Sequence, residues 1–537
     1  MKKFHLVLLS GLSGLLFTLG WTVNGFPAFL FTAFIPLLII EGYILKNKEH
    51  FNRFSVFFYT YPAFFIWNVA TTWWIWNSTP VAALAWVLNA MFMSIVMNVY
   101  HAVRRRLYKS DQGYFILIFL WIGFEFFHLN WKLTWPWLNL GNGFATHCNW
   151  IQWYEFTGAL GGTFWVILTN ILIFKTIQPF LNRQPDRKVI VKYGSGAFAV
   201  ILIPIILSLT RYYSYEEQHD PIHVIICQPN LDPYSTQYSL PPHEAVDINL
   251  DLAQTKMRGQ PSYIVAPESA IQEDIWEGSF AASPSLNKLK AFTHDHPETR
   301  IVIGASTFRR YREGEKLPSS ARYHKYSGFY YDSYNTALYV DSEGIFQKHH
   351  KSKLTPGVEY MPSGGIFKFI EKYAIDLGGT VGTLGTEVLS RPFADPDSVK
   401  TGTVICYESV FGDFCRSYVR QGAGALLIIT NDGWWGNTPG HKQHLVFASL
   451  RAVETRRSIA RSANTGISCF VNQRGDILQP TPYWEKRVIS QDINLNHELT
   501  FYSQFGDYIG QISSAISGIF ILFAILFGFR KRNHLKQ

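Results

Sequence analysis

The chain has 537 residues, of which 48% are hydrophobic, 16% aromatic and only 16% charged. A soluble globular protein carries about 25% charged residues, so the composition excludes a disordered chain and argues against a purely soluble one. The formal net charge is +9, which taken whole would suit a nucleic-acid partner; the placement of the charges decides otherwise. Cys148, Cys227, Cys406, Cys415 and Cys469 form no CxxC pair and do not suit a disulfide scaffold or a zinc ribbon.

Seven apolar runs fill the first 210 residues, near 4–22, 25–45, 55–77, 82–103, 113–130, 154–174 and 193–210. Most are close to the roughly 20 residues that a helix needs to cross a bilayer. An eighth lies at 509–529. Lys2 and Lys3 give the first run the look of a signal peptide, but no small-residue cleavage site follows it, so it is expected to stay as a span. With a cytoplasmic N-terminus, the inner segments 1–3, 46–54, 104–112, 175–192 and 530–537 hold eighteen Lys and Arg. The short outer loops near 23–24, 78–81 and 131–153 hold one, Lys132. This asymmetry is a positive-inside signal, and it predicts that 211–508 is outside and both termini are inside. The membrane part then carries a net +13 and the outer domain −4. The basic excess therefore sets orientation, and no nucleic-acid partner is expected. The organisation read from this pattern is a seven-span domain over 1–210, a catalytic domain over 211–508, and an eighth span with its tail over 509–537.

The outer segment carries short strand-like runs at 223–228, 263–267, 300–305, 337–340, 402–406, 425–430 and 467–471, with helical patterns between several of them. That alternation predicts an α/β sheet. Cys406 ends one such run in Thr-Val-Ile-Cys-Tyr-Glu-Ser. A nucleophilic cysteine needs a base and nearby positive charge, and without them the residue reads as a packed core thiol. Glu268 ends another run in Val-Ala-Pro-Glu-Ser, and His350-Lys-Ser-Lys-Leu-Thr-Pro356 supplies lysines. Each alone reads more readily as an ion pair, a helix cap or a solvated charge.

In this order, Glu…Lys…Cys with these flanks resembles the carbon–nitrogen hydrolase (nitrilase-like) superfamily. Thr430-Asn-Asp-Gly-Trp-Trp-Gly436, His441-Lys-Gln-His444, Arg451-Ala-Val-Glu454, Arg461-Ser-Ala-Asn-Thr-Gly466 and Gln473-Arg-Gly-Asp476 extend the likeness over most of 220–495. Thr134-Trp-Pro-Trp-Leu138 and the membrane runs resemble one branch, the apolipoprotein N-acyltransferases. The resemblance implies a polytopic helical membrane domain of about eight spans joined to an α-β-β-α sandwich. It implies a catalytic triad of Glu268, Lys351 and Cys406, with Lys351 preferred over Lys353 because Leu354 follows it by three. Glu359, Tyr407 and Glu408 match supporting positions, with Glu359 and Glu408 expected beside the same lysine. It implies acyl transfer through a Cys406 thioester, no cofactor and no metal. The implied partners are a phospholipid donor, a diacylated apolipoprotein acceptor and the bilayer. The implied location is a bacterial plasma membrane with the catalytic domain in the periplasm. A membrane-tethered amidase and a non-catalytic lipid-binding protein are the alternatives.

Weaker signals remain. His441 and His444 share helical spacing, but no third metal ligand is evident. Arg451, Arg456, Arg457 and Arg461 are read as a basic stretch of one helix, in ion pairs. Glu125 and His128 are ionisable groups in or near the fifth span. Trp131, Trp135, Trp137, Trp150 and Trp153 suit an interface or substrate contact. Residues 363–395, with an apolar stretch at 366–370, are read as a mobile lid. The aromatic segment 323–334 has no assignment.

Overall fold

The computed structural model describes residues 2–21, 23–78, 83–108, 112–344, 346–360, 383–387 and 391–534. The apolar stretch 366–370 of the expected lid lies outside them. The chain forms two compact units, Met1–Trp73 with Ala83–Ser214 and Phe505–Gln537, and Trp74–Ala82 with Tyr215–Gln504.

In the first unit, six helices among the described residues are long and apolar enough to cross a membrane: Lys3–Trp21, Pro27–Lys46, Leu84–Leu107, Ala159–Leu181, Arg187–Ser214 and Tyr508–Gly528. The expected span at 113–130 is the shorter apolar helix Ile116–Asn130. The run at 55–77 does not continue as one helix. Its α-helix is Ser55–Thr72, and Trp73–Asn77 tightens into a 3₁₀ turn. Tyr, Asn and Thr dilute the helix's apolar character, and the segment that starts at Trp74 and ends at Ala82 belongs to the second unit.

Ionisable groups buried in this first unit are paired, as a low-dielectric setting demands. Glu41 bonds His101 Nδ1 at 2.9 Å and pairs with Arg104, whose guanidinium lies 3.9 Å over the Tyr114 ring. Glu125 accepts from Leu140 N at 2.9 Å, Trp121 Nε1 at 3.0 Å and Thr163 Oγ1 at 2.6 Å. His128 accepts from Trp135 N at 3.1 Å. Glu125 and His128 thus fasten the loop after their own helix, which runs through the 3₁₀ turns Pro136–Leu138, Leu140–Phe144 and Cys148–Trp150.

Among the described residues, the second unit has fourteen strands in two sheets. They are β1 Pro221–Gln228, β2 Ser262–Val265, β3 Ile271–Trp276, β4 Thr299–Arg310, β5 Arg322–His324, β6 Phe329–Val340, β7 Phe346–His350, β8 Phe393–Ala394, β9 Lys400–Ile405, β10 Ala425–Thr430, β11 Ser458–Ala463, β12 Cys469–Val471, β13 Ile477–Leu478 and β14 Arg487–Asn494. One sheet runs β14-β1-β2-β4-β6-β5, with β3 beside β4 and β7 beside β6; the other runs β13-β12-β11-β10-β9-β8. Side chains alternate across each strand, and this builds the layers. Val224, Ile226, Val265 and Val302 from the first sheet meet Ile405, Leu427, Ile429 and Ala460 from the second in one core. Ile225, Cys227, Ile264 and Ile301 face the other way and pack on Val246 and Leu250 of helix Pro242–Gln254 and Leu286 and Leu289 of helix Pro284–Asp295. Helices Gly412–Arg420 and Pro439–Thr455 follow the second sheet's strands, and Gly402 of β9 lies close under Tyr418. The result is an α-β-β-α sandwich of nitrilase type.

One local expectation fails. Arg451, Arg456, Arg457 and Arg461 do not share a helix. The helix stops at Thr455 because Arg456 adopts φ +50°, and Arg461 lies on β11, parallel to β10. Buried pairing does hold for Arg451, whose Nε lies 2.9 Å from Glu454 Oε2.

Candidate active site

Parallel strands deliver their polar residues at their C-terminal ends, where the backbone leaves the ladder. Glu268 follows β2 by three residues. Its loop presses against β4, where Gly304 N donates to Pro267 O at 3.0 Å. A Cβ at Gly304 would lie 2.6 Å from Glu268 Cα, so only glycine permits the approach. Lys351 directly follows β7 and is tied to β6 by its N–H, which donates to Asn335 O at 2.8 Å. Cys406 directly follows β9 with φ +51°, and this sharp turn starts the 3₁₀ helix Cys406–Val410.

These three side chains line one cavity of about 110 Å³, together with Tyr238, Asn335, Glu359 and Trp434. Lys351 Nζ donates to Glu268 Oε1 at 3.0 Å and to Glu359 Oε1 at 2.8 Å. Asn335 Nδ2 donates to the same two oxygens, at 2.8 Å and 3.2 Å. Glu268 Oε2 accepts from Asn431 N at 3.0 Å, and Glu359 Oε2 from Thr355 N at 2.9 Å. Burial works against the Lys351 charge, but the Glu268 and Glu359 carboxylates outweigh it and hold the amine well above the usual lysine range. Burial, and next the Glu268 charge, push the Cys406 thiol well above its usual range, against the opposing pull of Lys351. The arrangement can hold a protonated thiol beside a carboxylate that receives the proton and an ammonium that stabilises developing negative charge.

The supporting residues separate. Glu359 shares Lys351 with Glu268. Glu408 does not join them, contrary to the expectation of three carboxylates around one lysine. The tight turn after Cys406 folds its side chain back, so that it accepts from Ile405 N at 2.8 Å and Ser352 N at 2.5 Å and lies 3.1 Å from His349 Nε2. Glu408 thus ties the cysteine turn to the lysine loop. Tyr407 is buried against Phe411, with ring centroids 5.2 Å apart. Lys353 turns instead toward Phe411, with its Nζ 5.0 Å from that ring, and feels the charges of Asp413 and Glu408.

Sequence reasoning missed Asn335, which bridges the two glutamates; nothing in its neighbourhood marks an asparagine as special. It also missed a second polar network behind Cys406. His444 Nε2 lies 3.1 Å from Cys406 O, and Ser409 Oγ donates to that same carbonyl at 2.7 Å. His444 Nδ1 lies 2.9 Å from Asp432 Oδ1, and Arg461 Nη2 donates to Asp432 Oδ2 at 2.6 Å. Burial opposes the Asp432 charge, yet Arg461 and His444 hold its carboxyl far below the usual range. His441 is not part of this network and stacks on Tyr483 at 4.1 Å. Cys406, Asp432 and His444 place three ligand-type atoms within 4.8 Å of one another, but Asp432 and His444 are committed to these hydrogen bonds.

The segment Trp74–Ala82 contributes to this unit as well. Trp74 Nε1 donates to Gln443 Oε1 at 3.2 Å, Asn77 Nδ2 donates to Trp435 O at 2.9 Å, and Ser78 lines the cavity.

Two family models match the chain: Carbon-nitrogen hydrolase over residues 244–498, and Apolipoprotein N-acyltransferase N-terminal domain over residues 13–172. The apolipoprotein N-acyltransferase of Chlorobaculum tepidum is 28% identical over 99% of this chain and 97% of its own length. That of Geobacter metallireducens is 26% identical over 98% and 96%. Among solved structures, Saccharomyces cerevisiae Nit3, of the nitrilase superfamily, is 18% identical, with a TM-score of 0.36 over 51% of this chain and 90% of that one. Matched end to end by relatives of one name, and by a family model on each half, the chain belongs to the apolipoprotein N-acyltransferase family of the carbon–nitrogen hydrolases.

Proposed function

We propose that the protein transfers an acyl chain from a phospholipid to the α-amino group of a lipoprotein's N-terminal diacylglyceryl-cysteine. The observation that carries the chemistry is the single cavity shared by Glu268, Lys351 and Cys406. Glu268 takes the Cys406 proton as the sulfur attacks the donor's ester carbonyl. Lys351, with the backbone N–H of Tyr407, stabilises the oxyanion. When the tetrahedral intermediate collapses, Glu268 returns the proton to the departing glycerol oxygen and lysophospholipid leaves a thioester on Cys406. The lipoprotein amine then attacks, Glu268 accepts its proton, and the amide forms as the Cys406 sulfur is released and reprotonated. Splitting the transfer in two removes the need for both lipids to react at once, and it predicts ping-pong kinetics.

A cavity of about 110 Å³ is far below the roughly 300–1,000 Å³ of a pocket that engulfs a drug-sized ligand. It has room for the ester and its immediate neighbours, which suits a substrate whose chains stay in lipid. The basic excess of the segments flanking the apolar runs supports eight crossings, cytoplasmic termini and a catalytic domain over 211–508 on the periplasmic face of a bacterial plasma membrane.

The test is to incubate the purified protein with acyl-labelled phospholipid, with and without a diacylated lipopeptide. A label trapped on Cys406 that moves to the peptide amine is the expected result. Release as free fatty acid would instead make the protein a hydrolase, and no thioester would make it a lipid binder. The Cys406→Ala variant should trap no label.

A further inference from the structure

Residues 323–331 of the aromatic segment play no part in the chemistry above, yet they include the most exposed aromatic side chain among the described residues of the catalytic unit. They belong to the hairpin of β5 and β6. Tyr326 at its turn is 99% exposed, Tyr323 is 54% and Tyr330 is 44%. The Tyr323 and Tyr330 rings pack 5.0 Å apart across the strands, and His324 stacks on Phe329 at 5.1 Å. Arg310 lies 4.5 Å over the Phe329 ring. The Tyr323 and Tyr330 rings are thus held in place by cross-strand pairing, with Tyr326 standing at the turn between them.

Charge singles out the same place. Residues 309–331 hold six Lys and Arg against two Glu, within a 211–508 segment that is net negative. Exposed aromatic residues interleaved with cations suit the headgroup layer of a bilayer, where rings sit at the apolar boundary and cations meet anionic phosphates.

Position supplies the third argument. β4 lines the catalytic cavity at Ser306 and continues to Arg310; β6 returns from Phe329 and lines the cavity at Ser333, Tyr334 and Asn335. The hairpin therefore extends from the end of the first sheet that carries Glu268 and Lys351, the end at which the catalytic cavity lies. Helix Pro284–Asp295 ends just before β4 begins, so Asp295 marks the opposite end.

We propose that the β5–β6 hairpin docks on an anionic phospholipid surface, with Tyr323, Tyr326 and Tyr330 at the headgroup boundary and Arg322 and Lys325 against phosphates. This inference rests on the reading that the cavity takes its donor from a bilayer, because only then must the cavity end of the sheet approach lipid.

The experiment uses the full chain in nanodiscs, with Cys406→Ala and Cys148→Ser to remove competing thiols. An environment-sensitive fluorophore is placed at Tyr326→Cys or, as a control, at Asp295→Cys. The discs contain phosphatidylcholine alone or with phosphatidylglycerol, each with and without a lipid that carries a quencher near its headgroup. The expected result is quenching and a blue shift at 326, stronger with phosphatidylglycerol, and neither at 295. A second arm keeps Cys406 and measures labelling by phospholipid. Combining Tyr323→Ser, Tyr326→Ser and Lys325→Gln should raise the KM for phosphatidylglycerol about fivefold and leave kcat unchanged. An unquenched label at 326 with an unchanged KM overturns the proposal, as does a label that responds only to an added acidic protein. If the wild-type chain forms no thioester with any phospholipid, the acyl-transfer reading fails; quenching at 326 is measured independently of it.

Discussion

Two buried ionic networks meet at Cys406. Glu268, Lys351, Glu359 and Asn335 stand on the cavity side of the cysteine, and all four line that cavity. Asp432, His444 and Arg461 stand behind it, buried, and His444 Nε2 meets its backbone carbonyl. Both contain carboxylates closely paired with cations. In the first, the pair faces a space where a proton and an oxyanion can be exchanged. In the second, every contact closes on protein, so its charges hold geometry. Burial and pairing therefore do not by themselves mark a catalytic group; access to the reacting atom does.

The sharpest way to break this contrast is at Glu268. Glu268→Gln keeps the size of the side chain and removes the base, and acyl transfer should fall by about 10²–10⁴-fold. Alkylation of Cys406 by a small soluble reagent should change in the opposite direction. The Glu268 charge raises the thiol's pKa and Lys351 lowers it. With the carboxylate gone and the ammonium left, the pKa drops and the thiolate fraction at pH 7 to 8 rises. In the wild type, the alkylation rate should still be climbing with pH above about 8.5, the midpoint of an unperturbed cysteine. Parallel rate and pH series on the two proteins check both signs. A Glu268→Gln protein that alkylates more slowly would remove the electrostatic account.

The second network should respond in stability. Arg461→Met leaves the Asp432 carboxylate buried without its cation, which costs about 3–5 kcal/mol. Chemical denaturation of the detergent-purified chain reads that loss. Glu359→Gln, on the cavity side, keeps a hydrogen-bonding side chain within reach of Lys351 and should cost less stability than activity.

Asn335→Ala comes next in size. Its amide donates to both Glu268 and Glu359, and hydrogen bonds to charged groups are worth about 1.5–3 kcal/mol each. A loss of one such bond in the transition state lowers thioester formation by roughly 10- to 100-fold. Single-turnover labelling by phospholipid measures it.

The sequence carried much of this, unevenly. Apolar runs such as 223–228 and 425–430 became strands because both of their faces are largely buried. β11, Ser-Ile-Ala-Arg-Ser-Ala, and β14, Arg487–Asn494, were illegible. The first hides a buried arginine whose partner is 29 positions away in sequence, and the second is polar on one face. Glu268, Lys351 and Cys406 could be picked out because family motifs surround them. Asn335 and the Asp432–His444–Arg461 network could not, because their meaning lies in contacts between strands distant in the chain. Glu408 was legible as a supporting residue but not in its place. Only the positive φ of Cys406 turns it toward Ile405 N and away from Lys351.

That same φ motivates the smallest effect, the one expected of His444→Gln. A non-glycine residue held in the left-handed region costs of order 1–3 kcal/mol and persists only where its surroundings fix it. At Cys406 the fixing groups are Ser409 Oγ and His444 Nε2, both on the cysteine's carbonyl oxygen. His444→Gln can keep a donor toward that oxygen, so it should slow thioester formation by only roughly fivefold, the worth of one neutral hydrogen bond of about 1 kcal/mol. His444→Ala removes the donor and lets the turn relax, and a misplacement of about 1 Å at the nucleophile costs about 10²-fold. In both variants the fall should appear in kcat with KM for phospholipid unchanged, because the lipid touches the cavity and not this network. If His444→Gln and His444→Ala were equally impaired, or if KM rose with either, the histidine would be acting on the substrate rather than holding the cysteine's backbone.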